Sequence, residues 1–119
     1  MIVLDEKDKR PIYEQIVDKL SDLMARGVLK ADEQMPSVRN LASWLSINPN
    51  TVSKAYLELD RRGYTYSVKG KGSFVAGSEK VLKDRQEEIK TKLRALCIEA
   101  KKCELKEDDL TRVIRKEMS

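Results

Sequence analysis

The stretch Ser37 to Gly63, SVRNLASWLSINPNTVSKAYLELDRRG, decides the fold. Ser37 is a good N-cap, and Val38, Leu41, Ala42 and Leu45 follow at spacings of three and four, so a short helix is expected through Leu45. Ser46-Ile47-Asn48 then makes a tight turn. Asn48 is again a capping residue, Pro49 suits a first helical position, and Ile47 and Val52 sit where a hydrophobic staple places them. A further helix runs from there to Arg62, with Val52, Ala55, Tyr56 and Leu59 as its apolar face, and stops at Gly63. Two short helices joined by a tight turn read as a helix-turn-helix.

Upstream, Pro11 opens a first helix whose stripe Ile12, Ile16, Leu20, Leu23 and Met24 ends at Gly27. Residues 1–10 read as a short arm or edge strand, and Asp32 to Pro36 as a loop. Downstream of Gly63 the period changes to two. Tyr64, Tyr66 and Val68 alternate with Thr65 and Ser67, Lys69-Gly70-Lys71-Gly72 forms a turn, and Ser73-Phe74-Val75 returns, which makes a β-hairpin. Helix, helix, tight turn, helix and hairpin together are a winged helix-turn-helix. The fold class is mainly α with a small β-hairpin.

Gly77-Ser78 reads as a boundary, dividing a DNA-binding domain over 1–77 from a helical tail over 78–119. The tail contains neither Pro nor Gly after that point. Leu82, Gln86, Ile89, Leu93, Leu96, Ala100 and Cys103 recur at spacings of four and three, a heptad-like seam, and Leu110, Val113, Ile114 and Met118 mark a last amphipathic helix. Either the seam folds back on its own domain or a second copy covers it. Its narrowness and its charged flanks favour a homodimer, with Gln86 helping to fix the register.

Composition bounds the function. The 119 residues suffice for one domain with a short appendage, and the charged fraction of 37% implies long solvated faces. Histidine is absent, which excludes Ser-His and Cys-His catalysis and any His-ligated metal. Cys97 and Cys103, six apart, fit neither a metal motif nor a disulfide framework and read as small apolar side chains. The neighbouring acids Glu87-Glu88 and Asp108-Asp109 point about 100° apart on a helix and form no acid/base pair. No enzyme, no cofactor and no metal site is expected. No stretch has the roughly 20 apolar residues of a membrane span, and Met1 to Arg10 lacks an apolar signal core, so a cytoplasmic protein without a membrane partner is expected.

Charge then singles out a partner. Residues 34–78 carry six basic side chains (Arg39, Lys54, Arg61, Arg62, Lys69 and Lys71) against two acidic ones, an excess equal to the net charge of +4. That excess falls on the elements a winged helix presents to double-stranded DNA. With the apolar face of the third helix turned inward, Asn50, Thr51, Ser53 and Lys54 lie outward near its N-terminus, beside the cap Asn48. Asn can bond adenine in bidentate fashion, Thr can touch a thymine methyl, and Lys54 suits a phosphate or a guanine. Arg39, early in the preceding helix, is a candidate contact to the DNA backbone. Lys69, Gly70 and Lys71 form the wing tip, where glycine allows close approach and lysine supplies charge. A specific regulator and a non-specific architectural or protein-binding module both remain compatible with these residues.

The pattern Pro36-Ser37-x-Arg39-x-Leu41-Ala42, then Asn48-Pro49-Asn50-Thr51-Val52-x-x-Ala55-Tyr56-x-x-Leu59, Gly63 and Gly70-x-Gly72-x-Phe74-Val75 resembles the GntR family of bacterial transcription regulators. Pro11-Ile12-Tyr13-x-Gln15-Ile16 fits it too. The tail is too short for the larger effector domains of most members and resembles the short-tailed YtrA-type subfamily. That resemblance implies a homodimeric repressor, a near-palindromic operator, a two-helix dimerisation tail and a transporter operon as target. It carries DNA contacts onto Arg39, Asn48, Asn50, Thr51, Ser53, Lys54, Lys69 and Gly70. Where many relatives have an arginine in the recognition helix, this chain has Pro49, Ser53 or Lys54, so base preference does not transfer. A dimer crevice could hold a small-molecule effector, which the sequence does not name.

Overall fold

The computed structural model describes residues 2–119 and divides into two compact units, one ending at Lys83 and one spanning Asp84–Ser119. The first unit extends beyond the boundary expected at Gly77-Ser78, because Val81 is fully buried among its core residues.

Three helices and a hairpin build the first unit: α1 (Ile12–Ala25), α2 (Val38–Leu45), α3 (Pro49–Arg62), β1 (Thr65–Val68) and β2 (Gly72–Val75). Their limits follow local chemistry. The Ser37 hydroxyl accepts from the Asn40 N–H at 3.1 Å and starts α2, which ends where Ser46 takes up φ 55°. Asn48 Oδ1 accepts from the Asn50 N–H at 2.8 Å and starts α3, with Pro49 in its first turn. Gly63 ends α3 at φ 79°, a left-handed conformation that glycine adopts without steric cost.

The core lies between α1 and α3, with α2 and the base of the hairpin closing it. Ile16, Leu20 and Met24 of α1 meet Val52, Ala55 and Leu59 of α3, and Leu41 and Val75 join them. Tyr56 is buried with them, and its hydroxyl donates to the Pro36 carbonyl at 2.7 Å, which ties α3 to the chain entering α2. Burial pushes the Tyr56 hydroxyl well above the usual tyrosine range.

Several expectations need correction. Ile12, placed on the α1 stripe, is 38% exposed, since the first residue of the helix projects past the core. Of the arm or edge strand expected over residues 1–10, the described residues 2–10 take the arm, with no strand. Buried Gln15 holds that arm, its Oε1 accepting from the Asp5 N–H and its Nε2 donating to the Arg10 carbonyl, both at 3.2 Å. The segment 32–35 is more than a loop. It lies antiparallel against β2, with Asp32 N–H donating to Val75 O, Val75 N–H to Glu33 O and Met35 N–H to Ser73 O, and Gln34 bridges to Phe74. The hairpin thus carries a third, short edge.

The second unit contains most of α4 (Glu79–Lys102) and all of α5 (Glu107–Met118). Glu104, at φ 63°, turns the chain after α4, with its N–H donating to Lys101 O and the Leu105 N–H donating to Ala100 O. Cys103 therefore lies in the turn, exposed, and the helical seam expected to include it ends at Ala100. The Asp109 carboxylate accepts from the Lys106 N–H at 2.9 Å and starts α5. No helix among the described residues is long and apolar enough to cross a membrane.

Candidate nucleic-acid interface

Helix α3 presents two faces of opposite character. Val52, Ala55, Tyr56 and Leu59 are buried, as the 3.6-residue period requires. Asn50, Lys54, Leu57 and Arg61, on the opposite side, are exposed. Thr51 and Ser53 flank that outward strip and are half-buried. Asn48 is exposed, but its Oδ1 is occupied by the cap, which leaves its amide NH2 to reach outward. The residues expected to face a groove are therefore grouped at the N-terminal end of one exposed helix face. Leu57, apolar and 70% exposed in the middle of that face, was not singled out in the sequence, since it falls outside every motif.

The charges are not all available. Glu58 takes both Arg61, at 2.5 Å, and Arg62, at 2.8 Å, and these arginines hold its carboxyl down at about 2. Two of the six basic side chains counted in this stretch are thus held at the C-terminal end of α3. Arg39, Lys69 and Lys71 are exposed, and their side chains make no ion pair among the described residues. Lys54 has an aromatic partner, with its Nζ 4.1 Å from the centre of the Tyr13 ring.

The wing is held from both sides. Asp60, on the last turn of α3, accepts from the hydroxyls of Thr65 and of Ser67, the latter at 2.7 Å. From the opposite edge, Gln34 Nε2 donates to the Lys71 carbonyl at 2.8 Å and Asp32 accepts from the Tyr66 hydroxyl at 2.7 Å. Tyr66 stacks on Phe74, its partner across the strands, at 5.6 Å between ring centres. These bonds brace the hairpin from both sides, and that of Gln34 reaches the tip, which carries Lys69, Gly70 and Lys71. Gly70 sits at φ 77°, so the tip turn uses the left-handed conformation expected there.

In the second unit, Ile89, Leu93 and Leu96 are exposed along one face of α4, while Leu105, Val113, Ile114 and Met118 are exposed around α5. Gln86 is exposed too, as is Leu82 within the first unit. Ala100 is buried by its own unit. Leu93, Leu96, Ala100, Leu110 and Ile114 line an apolar crevice of about 420 Å³.

Residues 12–75 match the model of the bacterial regulatory proteins of the gntR family. The chain belongs to the GntR family. It is a DNA-binding transcription regulator with a winged helix-turn-helix. The HTH-type transcriptional repressor YtrA of Bacillus subtilis is 39% identical over 102 residues, covering 84% of this chain and 78% of its own, which places this GntR regulator with the YtrA type. A transcriptional regulator from Oenococcus oeni matches over the whole of both chains with a TM-score of 0.83 and 31% identity. The DNA-binding domain of AraR, solved in complex with operator ORE1, is 30% identical, with a TM-score of 0.55 over 62% of this chain and 90% of its own.

Proposed function

We propose that this chain is a repressor that binds a near-palindromic operator as a homodimer. The observation that carries the reading is the outward face of α3, which groups Asn50, Thr51, Ser53 and Lys54 at its N-terminal end, in a domain that also exposes Arg39 and a braced wing bearing Lys69 and Lys71. In this reading Asn50 and Thr51 read base edges, and the amide of Asn48 and the hydroxyl of Ser53 support them. Arg39, Lys54, Lys69 and Lys71 meet phosphates, and Gly70 lets the wing backbone come close. The similarity to a named repressor and to a domain solved on its operator supports the direction of the effect and the kind of target. The resemblance to the YtrA type extends the target to a transporter operon.

The exposed apolar faces of α4 and α5 support the dimer, because a soluble domain seldom leaves so continuous a strip uncovered. Leu82, Gln86, Ile89, Leu93 and Leu96 belong to this proposed seam, and Ala100 closes its end. A gel shift tests the reading. An inverted repeat from the DNA upstream of the gene should be shifted in the presence of excess unrelated DNA of equal length. Equal competition by the unrelated DNA would favour the architectural module instead.

A further inference from the structure

Pro11, Ile12 and Tyr13, at the start of α1, and Asn50, Thr51 and Lys54, on the first turns of α3, line a crevice of about 410 Å³ on the outward side of the recognition helix. Lys54 is exposed, and its ammonium lies 4.1 Å from the centre of the half-buried Tyr13 ring. The Glu14 carboxylate accepts from the Tyr13 hydroxyl at 3.3 Å, and Lys54 forms no ion pair with it. A lysine head on a four-carbon stem is ordinarily mobile, and a contact made with it must overcome that lost freedom. A ring face under the ammonium restricts the head without neutralising it, since the attraction leaves the full charge in place.

We infer that Tyr13 is a positioning residue of the DNA interface, holding the Lys54 ammonium at the mouth of the α1–α3 crevice in place for a phosphate of the duplex. The inference rests on the reading of α3 as the DNA-facing helix. It adds the start of α1, through a contact that neither helix makes alone. Asn50 and Thr51, on the same crevice wall, are left to the base edges beside that phosphate.

The test is a double-mutant cycle on the full chain. The probe is a mixed-sequence duplex of about 40 base pairs at low salt, because a phosphate contact needs no particular sequence. Tyr13→Phe keeps the π face, and Tyr13→pentafluorophenylalanine keeps the ring's shape while reversing its charge distribution. The fluorinated variant is expected to bind roughly two- to fivefold more weakly than Tyr13→Phe when Lys54 is present, and equally well in the Lys54→Gln background. Thermal melts of the two ring variants check that both fold alike. The inference is overturned by an equal difference in both backgrounds or by none in either. Tighter binding by the fluorinated variant would also overturn it, since the ring would then be withholding the ammonium. Wild-type protein that binds no duplex at all would sink the DNA-facing reading itself, a result distinct from the other three.

Discussion

At the scale of single residues, the proposed interface separates side chains that read from side chains that hold. Asn50 is exposed, and its backbone N–H is engaged by the Asn48 cap while its side chain makes no hydrogen bond among the described residues. Its amide is therefore free for a base edge. Asn50→Ala is expected to cost about 1–3 kcal/mol on the operator and far less on random DNA, measured by titrating both at one salt concentration. Equal losses would make Asn50 a positioning residue. Tyr56 is a holding residue. Tyr56→Phe removes the donor to the Pro36 carbonyl and should lower stability by about 1 kcal/mol in urea denaturation, with DNA contacts otherwise intact. Glu58 gives a pH dependence. Its carboxyl is held near 2 by hydrogen bonds from Arg61 and Arg62, against an ordinary value of 4.5. A depressed carboxyl contributes stability above its unfolded pKa and loses it as pH falls through the folded one. Melting temperatures of wild type and Glu58→Gln should therefore converge between about pH 4.5 and 2, by a small amount, because the arginines that pair with it are exposed. A constant difference across that range would contradict this.

At the scale of elements, what was legible in the sequence was what local chemistry decides. The limits of α3 follow from Asn48, Pro49 and Gly63, and its buried face follows from the period of Val52, Ala55, Tyr56 and Leu59. The third edge of the hairpin was not legible. Gln34 and Phe74 are far apart in the chain, and residues 32–35 show no alternation to announce a strand. Nor was the end of α4, because Glu104 adopts a left-handed turn where no glycine signals one. The pairing of Lys54 with Tyr13 depends on how α1 crosses α3, which no single-helix pattern contains. The hidden third edge bears on the wing, because Gln34 holds the tip at Lys71 while Asp60 holds Ser67 from the opposite side. Braced in this way, the tip should act as a rigid carrier of two charges. Replacing Lys69 and Lys71 together by Ala should weaken binding to all DNA similarly and lower the salt slope by up to about 2. A changed sequence preference at an unchanged slope would contradict a purely electrostatic wing.

At the scale of the whole molecule, the proposed assembly ties the tail to the operator. In that proposal one winged helix touches one half-site and binds it modestly. Two linked copies meet the second half-site at high effective concentration, which can raise affinity by about 10²–10⁴ without a new contact. The second unit offers the surface for that link, with Ile89, Leu93 and Leu96 exposed on α4 and Val113 and Ile114 on α5. The twofold symmetry of a homodimer then calls for half-sites in inverted repeat, about one helical turn apart or slightly closer. Charge placed in this surface should separate assembly from folding. Leu93 is 44% exposed, so Leu93→Glu removes little from the core of its own unit, and Ile89→Lys still less. Either variant should keep its helical content by circular dichroism and sediment as a monomer. Its affinity for the full operator should collapse while weak binding to random DNA persists. A variant that stays dimeric, or a monomer that binds the full operator as tightly as wild type, would remove the tail from its proposed role and leave the winged helix to account for binding alone.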